Sequence, residues 1–220
     1  MELTQELIDR FMKVAPAQIG HYIKSGYMHP RIKPVSKNFK MIGPAVTVRM
    51  IGTSNTMLYY AQEHSPKGSV IVVDRGAQDT HACCGDGCSL SALVNGMAGI
   101  VIDGPNCDSS GIVEVGLPVF STGGSVVTCM ATPDPQAEYN VPVSCGDTIV
   151  NPGDIVFGDE DGVLVMKPED CVRLLELAEA GDRLELEPGG LVESLRNGTK
   201  KMSDYAPIIH DALKIAGIEE

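Results

Sequence analysis

What this 220-residue chain lacks narrows its class before any motif is read. No apolar run reaches the ~18 residues that a membrane-spanning helix needs, so no membrane partner is expected. The opening MELTQELIDRF is acidic and amphipathic, whereas a secretory leader is basic and then apolar, so a cytoplasmic location is expected. Lys and Arg number 17 against 29 Asp and Glu, a net charge of −12, and no basic cluster stands out. A nucleic-acid groove needs such clusters to neutralise phosphates, so no nucleic-acid partner is expected. The seven cysteines are odd in number and lack the paired spacing of a zinc motif. Reduced thiols packed as small apolar groups are the expectation, including those of Cys83-Cys84-x3-Cys88.

What is present is 43% apolar residues, enough for one sizeable core. The chain is organised around a βαβ unit. Ser69-Val-Ile-Val-Val-Asp74 is a short β-branched run bounded by Gly68 and Gly76, as expected of a strand buried on both faces. Leu90, Leu93, Val94 and Met97 recur at helical spacing, with Asp86 or Gly87 placed to start the helix, and Ile100-Val-Ile102 supplies the second strand. A crossover helix runs antiparallel to the strands it joins, so its N-terminus meets their C-terminal ends. The loop 74–84, the helix start 86–89 and the loop 103–108 therefore converge. Free N–H groups and the positive end of the helix dipole there suit a carboxylate or phosphate, and Asp86 and Asp108 beside them suit a divalent cation. Acids at helix starts also serve simply as caps, and a Gly-Pro-Asn-Cys-Asp loop also serves simply as a turn.

Around this unit, Leu3–Val14 reads as an amphipathic helix capped by Thr4, Met41–Met50 as a strand and Asn55–His64 as a short helix. Ile112–Val115 reads as a helix and Val119-Phe120 as a strand, giving β-α-β-α-β-α-β and hence a parallel layer. From Val126 the pattern changes to short β runs (126–130, 141–143, 148–150, 155–158, 162–166) separated by Gly, Pro and Asp turns, a second β layer. Asn151-Pro-Gly-Asp154 and Asp159-Glu-Asp-Gly162 read as tight turns. Residues 1–167 are expected to form the core domain and 168–220 a helical tail. In that tail a helix starts at Lys167-Pro-Glu-Asp170 and stops at Gly181, and two more cover 191–196 and 204–216. Ile208, Ile209 and Leu213 give the last one an apolar stripe suited to a neighbouring subunit.

Many of these segments together carry a resemblance. Gly43-Pro-Ala-Val-Thr-Val-Arg49, Asn55, Pro66 through Asp74, Gly85-Asp86, Gly99-Ile-Val-Ile-Asp-Gly104, Asp108, Gly116-Leu-Pro-Val-Phe120, Val141-Pro-Val143 and Asn151-Pro-Gly-Asp154 through Val163 occur in this order. The chain resembles, over roughly residues 15–167, the regulator-of-ribonuclease-activity A family. That family includes 4-hydroxy-4-methyl-2-oxoglutarate and 4-carboxy-4-hydroxy-2-oxoadipate aldolases, and its members are often mislabelled as demethylmenaquinone methyltransferases. The resemblance implies a layered α/β/β/α sandwich, a homotrimer or homohexamer with sites between subunits, and a magnesium or manganese ion on Asp108. It also implies that Gly85, Gly87 and Cys88 hold the carboxylate of a small 2-oxo acid, with Asp86 near the waters of the metal. The implied reaction is retro-aldol cleavage releasing pyruvate, or oxaloacetate-type decarboxylation through the same enolate.

Departures from the family qualify this expectation. The family aldolases carry arginine where this chain has Cys107, and a neutral thiol replaces neither its charge nor its forked donors. Arg75 stands where glycine is more usual and, with Arg49, is a candidate anion partner; the plainer reading is a solvent-exposed arginine after a strand. His21 stands near a position where the family often has Asp, and no role is assigned to it. The alternative function is a non-catalytic regulator that masks a ribonuclease by surface contact. Against it, the named regulators usually lack an acid at the position of Asp108 and keep the arginine. A further reading takes Cys83, Cys84, Cys88 and Cys107 as a reactive or soft-metal thiol pocket, with simple space-filling ranked ahead of it.

Overall fold

The structure, a computed structural model, describes residues 3–205. In chain order its elements are α1 (Gln5–Phe11), α2 (Pro16–Gly20), β1 (Lys33–Pro34), β2 (Met41–Arg49), α3 (Thr56–His64), β3 (Val70–Asp74), α4 (Asp86–Val94), β4 (Gly99–Ile102) and α5 (Ser109–Val115). There follow β5 (Val119–Ser121), β6 (Glu138–Tyr139), β7 (Val143–Cys145), β8 (Thr148–Val150), β9 (Ile155–Asp159), β10 (Gly162–Met166), α6 (Cys171–Leu186), α7 (Leu191–Arg196) and α8 (Met202–Tyr205). The chain divides into two compact units, Met1–Leu175 and Glu176–Glu220. Among the described residues no helix is long and apolar enough to cross a membrane.

The fold is mixed α/β. Strands β2, β3, β4 and β5 pair in parallel, and the large sheet has the order β1-β5-β4-β3-β2-β9-β10, with β6 on β2. Alternation along the parallel strands separates two cores, because successive side chains point to opposite faces. Ile71, Val73, Ile100, Ile102 and Val119 join Leu58, Ala61, Cys88, Ala92 and Ile112 of α3, α4 and α5. Val70, Val72, Val101 and Phe120 join Val143, Cys145, Val150, Val156, Val163 and Val165 of the later strands. On the outside of β9, Phe11 of α1 meets Phe157 edge to face, ring centroids 5.4 Å apart. Helices, parallel strands, later strands and N-terminal helices thus stack as α/β/β/α.

Two devices fix the second β layer. Strand β2 is shared: Met41–Pro44 pair with β9 antiparallel, and Ala45–Arg49 pair with β3 in parallel. The separate hairpin β7–β8 is tied to the sheet by two strand-end aspartates, because Asp74 accepts the Ser144 N–H at 3.2 Å and Asp103 accepts the Gly146 N–H at 2.8 Å. The turns behave as their residues dictate. Gly153 has φ +84° after Pro152 and the Asp154 N–H returns to Asn151 O at 3.0 Å, a type II arrangement, while Glu160-Asp161 close the β9–β10 hairpin.

Three expectations are corrected. Leu90, Leu93 and Val94 of α4 are exposed, and the inward face is Cys88, Ser89 and Ala92, whose small side chains let the helix approach the sheet closely. Residues 126–130 make only isolated bridges, Ala82 with Thr128 and Ser54 with Met130. Pro168–Asp170 form a 3₁₀ turn, and α6 then runs through Gly181 to Leu186. One interior glycine costs a helix only about 1 kcal/mol, which does not end it where the neighbours are good helix formers such as leucine, alanine and glutamate. The expected helix over 204–216 and its stripe Ile208, Ile209 and Leu213 lie outside the described residues beyond Tyr205.

Candidate active site

The three segments converge, and two glycines set how closely. Gly85 caps α4 with extended backbone, and a β-carbon there would lie 2.4 Å from Asp108 Oδ2 and 2.8 Å from Cys107 Sγ. Reciprocally, a β-carbon on Gly111 of α5 would lie 2.7 Å from Asp86 Cβ and 2.8 Å from its Oδ2. Each helix start therefore packs a carboxylate against a glycine of the other, which only residues without a side chain permit.

Asp108 is the N-cap of α5 with φ +49° and ψ +43°, a left-handed conformation that Asp tolerates better than most residues. Its carboxylate makes no capping hydrogen bond and is exposed, accepting from the Cys107 thiol at 3.2 Å. Burial first, then that hydrogen bond and the charges of Asp108 and Asp86, push the Cys107 thiol up to about 12, so it is a neutral donor at physiological pH.

The start of α4 carries open donors. The first bond of the helix runs from the Ser89 N–H to the Gly85 carbonyl at 2.9 Å, so the earlier N–H groups of the first turn, that of Cys88 among them, have no helical partner. The Gly87 N–H, by contrast, is taken by Asp86 Oδ1 at 2.6 Å. An anion at this point meets the positive end of α4 and an unpaired donor.

No set of three His, Cys, Asp or Glu side chains converges on a metal position among the described residues. The donor chemistry nevertheless fits a hard divalent cation. Magnesium characteristically keeps several waters and takes one or two carboxylates, and Asp108 offers a carboxylate that neither a cap nor an ion pair consumes.

Comparison with known proteins places this geometry. The Aldolase/RraA family model, described as RraA-like, matches residues 4–165. The chain belongs to that family. A Halalkalibacterium halodurans relative, provisionally named 4-hydroxy-4-methyl-2-oxoglutarate aldolase, is 35% identical over 148 residues, 67% of this chain and 70% of the relative. A Streptomyces coelicolor structure, described as an unusual member of the RNase ES inhibitor RraA family, has a TM-score of 0.70 at 26% identity, covering 82% of this chain and 93% of that one. An uncharacterised Pseudomonas syringae protein shares the fold with a TM-score of 0.76 at 22% identity, covering 91% of this chain and 92% of its own.

Both arginines expected as anion partners in this Aldolase/RraA member are committed elsewhere. Arg75 is fully buried, and its guanidinium donates to Gly52 O at 2.7 Å, His81 O at 3.3 Å, Ser54 O at 3.5 Å and Cys129 Sγ at 3.2 Å. It clamps the loops after β2 and β3, a role set by distant contacts. Arg49 pairs with Asp74 at 3.4 Å and with Glu138, and donates to Pro142 O at 2.8 Å. The hydrogen bond to Glu138, then that to Asp74, raises its pKa. The sequence reading missed Gly111, Gln62 and the pinning aspartates Asp74 and Asp103, although an Asp closing each apolar strand run was a visible signal.

A cleft of about 690 Å³ lies elsewhere, lined by residues including Tyr22, Tyr27, Ile149, Asp154, Lys167 and Arg173. Two of its cations are already paired within it, Lys167 on Asp154 at 2.7 Å and Arg173 on Asp170 at 3.0 Å, so size alone does not make it the chemical site.

Proposed function

We propose that the chain is a divalent-cation-dependent carbon–carbon lyase acting on a small 2-oxo acid, by retro-aldol cleavage to pyruvate or by oxaloacetate-type decarboxylation. The observation that carries the reading is the pairing of an uncommitted Asp108 carboxylate with the open Cys88 N–H across Gly85. Family membership supports it, since relatives carry aldolase names.

In this reading Asp108 holds magnesium or manganese, which when bound polarises the 2-oxo group and favours negative charge on its oxygen. The Cys88 N–H and the α4 N-terminus hold and orient the substrate carboxylate. Asp86, exposed and fixed against Gly111, accepts the proton of the substrate's 4-hydroxyl as the carbon–carbon bond breaks. Cys107 offers a single neutral S–H donor where the family aldolases carry a guanidinium, so the standard substrate is a poorer match than a smaller 2-oxo acid. The same reading includes self-assembly as a trimer or hexamer, supported by the exposed Leu90, Leu93 and Val94 on the outer face of α4.

The test is pyruvate release from a panel of 4-hydroxy-2-oxo acids and oxaloacetate, with magnesium, with manganese and with chelator. Metal-dependent turnover that Asp108→Ala abolishes, with folding and thermal midpoint kept, is expected. Turnover unaffected by chelator and by Asp108→Ala overturns the assignment. No turnover on any substrate favours the non-catalytic regulator, which the Streptomyces relative's description also supports.

A further inference from the structure

The turn that carries Asp108 is braced by a buried residue two positions before it. Asn106 is 1% exposed, and its polar atoms are all engaged. Its N–H donates to Gly123 O at 2.9 Å and its carbonyl accepts the Ser125 N–H at 2.8 Å, which ties the loop after β4 to the loop after β5. Its side-chain amide is oriented by Ser121. That hydroxyl accepts the Gly123 N–H at 3.3 Å, so its own proton goes to Asn106 Oδ1, 2.8 Å away. The Nδ2 end is left facing the turn, where it donates to Cys107 O at 3.1 Å and to Ser109 Oγ at 2.9 Å. Those two acceptors belong to the residues on either side of Asp108.

Their position decides the backbone between them. The φ of Asp108 is set by the turn of the peptide plane that contains Cys107 O, and its ψ by the plane that leads into Ser109. One amide group gripping both sides therefore holds Asp108 at φ +49° and ψ +43°, a conformation that a residue other than glycine keeps only where its surroundings over-determine it. An aspartate at a helix start ordinarily has extended backbone and turns its carboxylate onto the N–H groups of the first turn. Asp108 does neither, and its carboxylate lies against Gly85 instead.

We propose that Asn106 is the positioning residue of this site: it keeps Asp108 from capping α5 and so holds the carboxylate uncommitted against Gly85. The place calls for an amide, because aspartate would set a second acceptor against Cys107 O and alanine would leave both that carbonyl and the Ser121 hydroxyl without their partner. The conformational role stands on the hydrogen bonds alone. Only its consequence for cation binding rests on the lyase reading.

The experiment compares crystal structures, thermal midpoints and calorimetric manganese affinities of the native full-length protein, Asn106→Ala and Phe157→Leu. In Asn106→Ala, Asp108 is expected to leave the left-handed region and its carboxylate to accept from N–H groups of the first turn of α5. Manganese affinity is expected to fall by about 10- to 100-fold, the usual cost of losing a group that orients a metal ligand. Phe157→Leu, on the outside of β9 against Phe11, lowers the midpoint without touching the turn, so its affinity is expected to stay within about twofold of native. An Asp108 that keeps its native conformation and free carboxylate in Asn106→Ala overturns the proposal, as does an equal loss of affinity in Phe157→Leu. If Asn106→Ala does not fold, Asn106→Ser, too short to reach Cys107 O and Ser109 Oγ together, is judged by the same conformational criterion. A native chain that binds no manganese sinks the cation reading of Asp108, while the conformation of Asp108 in the variant still decides this proposal.

Discussion

Asp103 grips Arg31 at two points, Oδ1 to Nε at 3.1 Å and Oδ2 to Nη2 at 2.9 Å, while the same Oδ2 accepts the Gly146 N–H at 2.8 Å. Arg31 is in turn paired with the exposed Asp147. Asp103→Ala removes both the pin on the hairpin and one of Arg31's two carboxylates, and is expected to destabilise the protein by about 2–3 kcal/mol in urea unfolding. Asp147→Asn leaves the Gly146 bond in place and is expected to have a clearly smaller effect. Equal losses in the two variants would show that the hairpin is not held through Asp103.

Gly85→Ala is expected to separate site from fold. The atoms it would strike, Asp108 Oδ2 and Cys107 Sγ, are ends of side chains, one exposed and one half-buried, so they move while the backbone stays. Manganese affinity by calorimetry should fall at least tenfold with the thermal midpoint shifted by only a few degrees. An unchanged affinity would mean that the metal, if bound, is not held by Asp108 in the position it occupies here.

Stability should fall in alkali. Burial pushes Cys83, and likewise Cys171, from the usual value near 9 up to about 12. These thiols stay neutral in the fold but ionise above pH 9 once the chain unfolds, so their contribution is complete below pH 9 and lost as pH rises toward 12. Thermal midpoints measured from pH 8 to 11 are expected to drop above pH 9, and Cys83→Ala to flatten the drop. A midpoint insensitive to pH in this range contradicts the account.

Cys107→Arg restores a forked cation beside Asp108. Turnover of 4-hydroxy-4-methyl-2-oxoglutarate is expected to rise by about two to three decades, the typical worth of an oxyanion donor. If the native chain turns over another 2-oxo acid and the variant loses that reaction while gaining none, the thiol belongs to a specialised pocket.

The parallel layer was legible because β-branched runs bounded by glycine leave few alternatives, and the convergence at Asp86 and Asp108 follows from crossover geometry alone. Side-chain fates were less accessible. Arg75 and Arg49 sit at the expected edge, but a long flexible side chain can turn outward or back, and the carbonyls and acids that captured them come from residues up to 93 positions away. The inward face of α4 was misread because periodicity weights large apolar residues, whereas a close helix–sheet contact selects Cys88, Ser89 and Ala92. Gln62, whose Nε2 donates to Cys88 Sγ at 2.9 Å, joins two helices and had no signature in either.

The shared strand β2 also imposes an order of events on folding. Its second half finds β3 about 25 residues further along, a short crossover with a small loop-closure cost, while its first half must wait for β9, roughly 110 residues later. During synthesis at about 5–20 residues per second, Met41–Pro44 therefore stay without their strand partner for several seconds after the chain could pair β2 with β3. Gly43 and Pro44 fall within that waiting segment, and both residue types are poor templates for an intruding strand. The composition that lets β2 serve two sheets also protects the nascent chain until the second arrives.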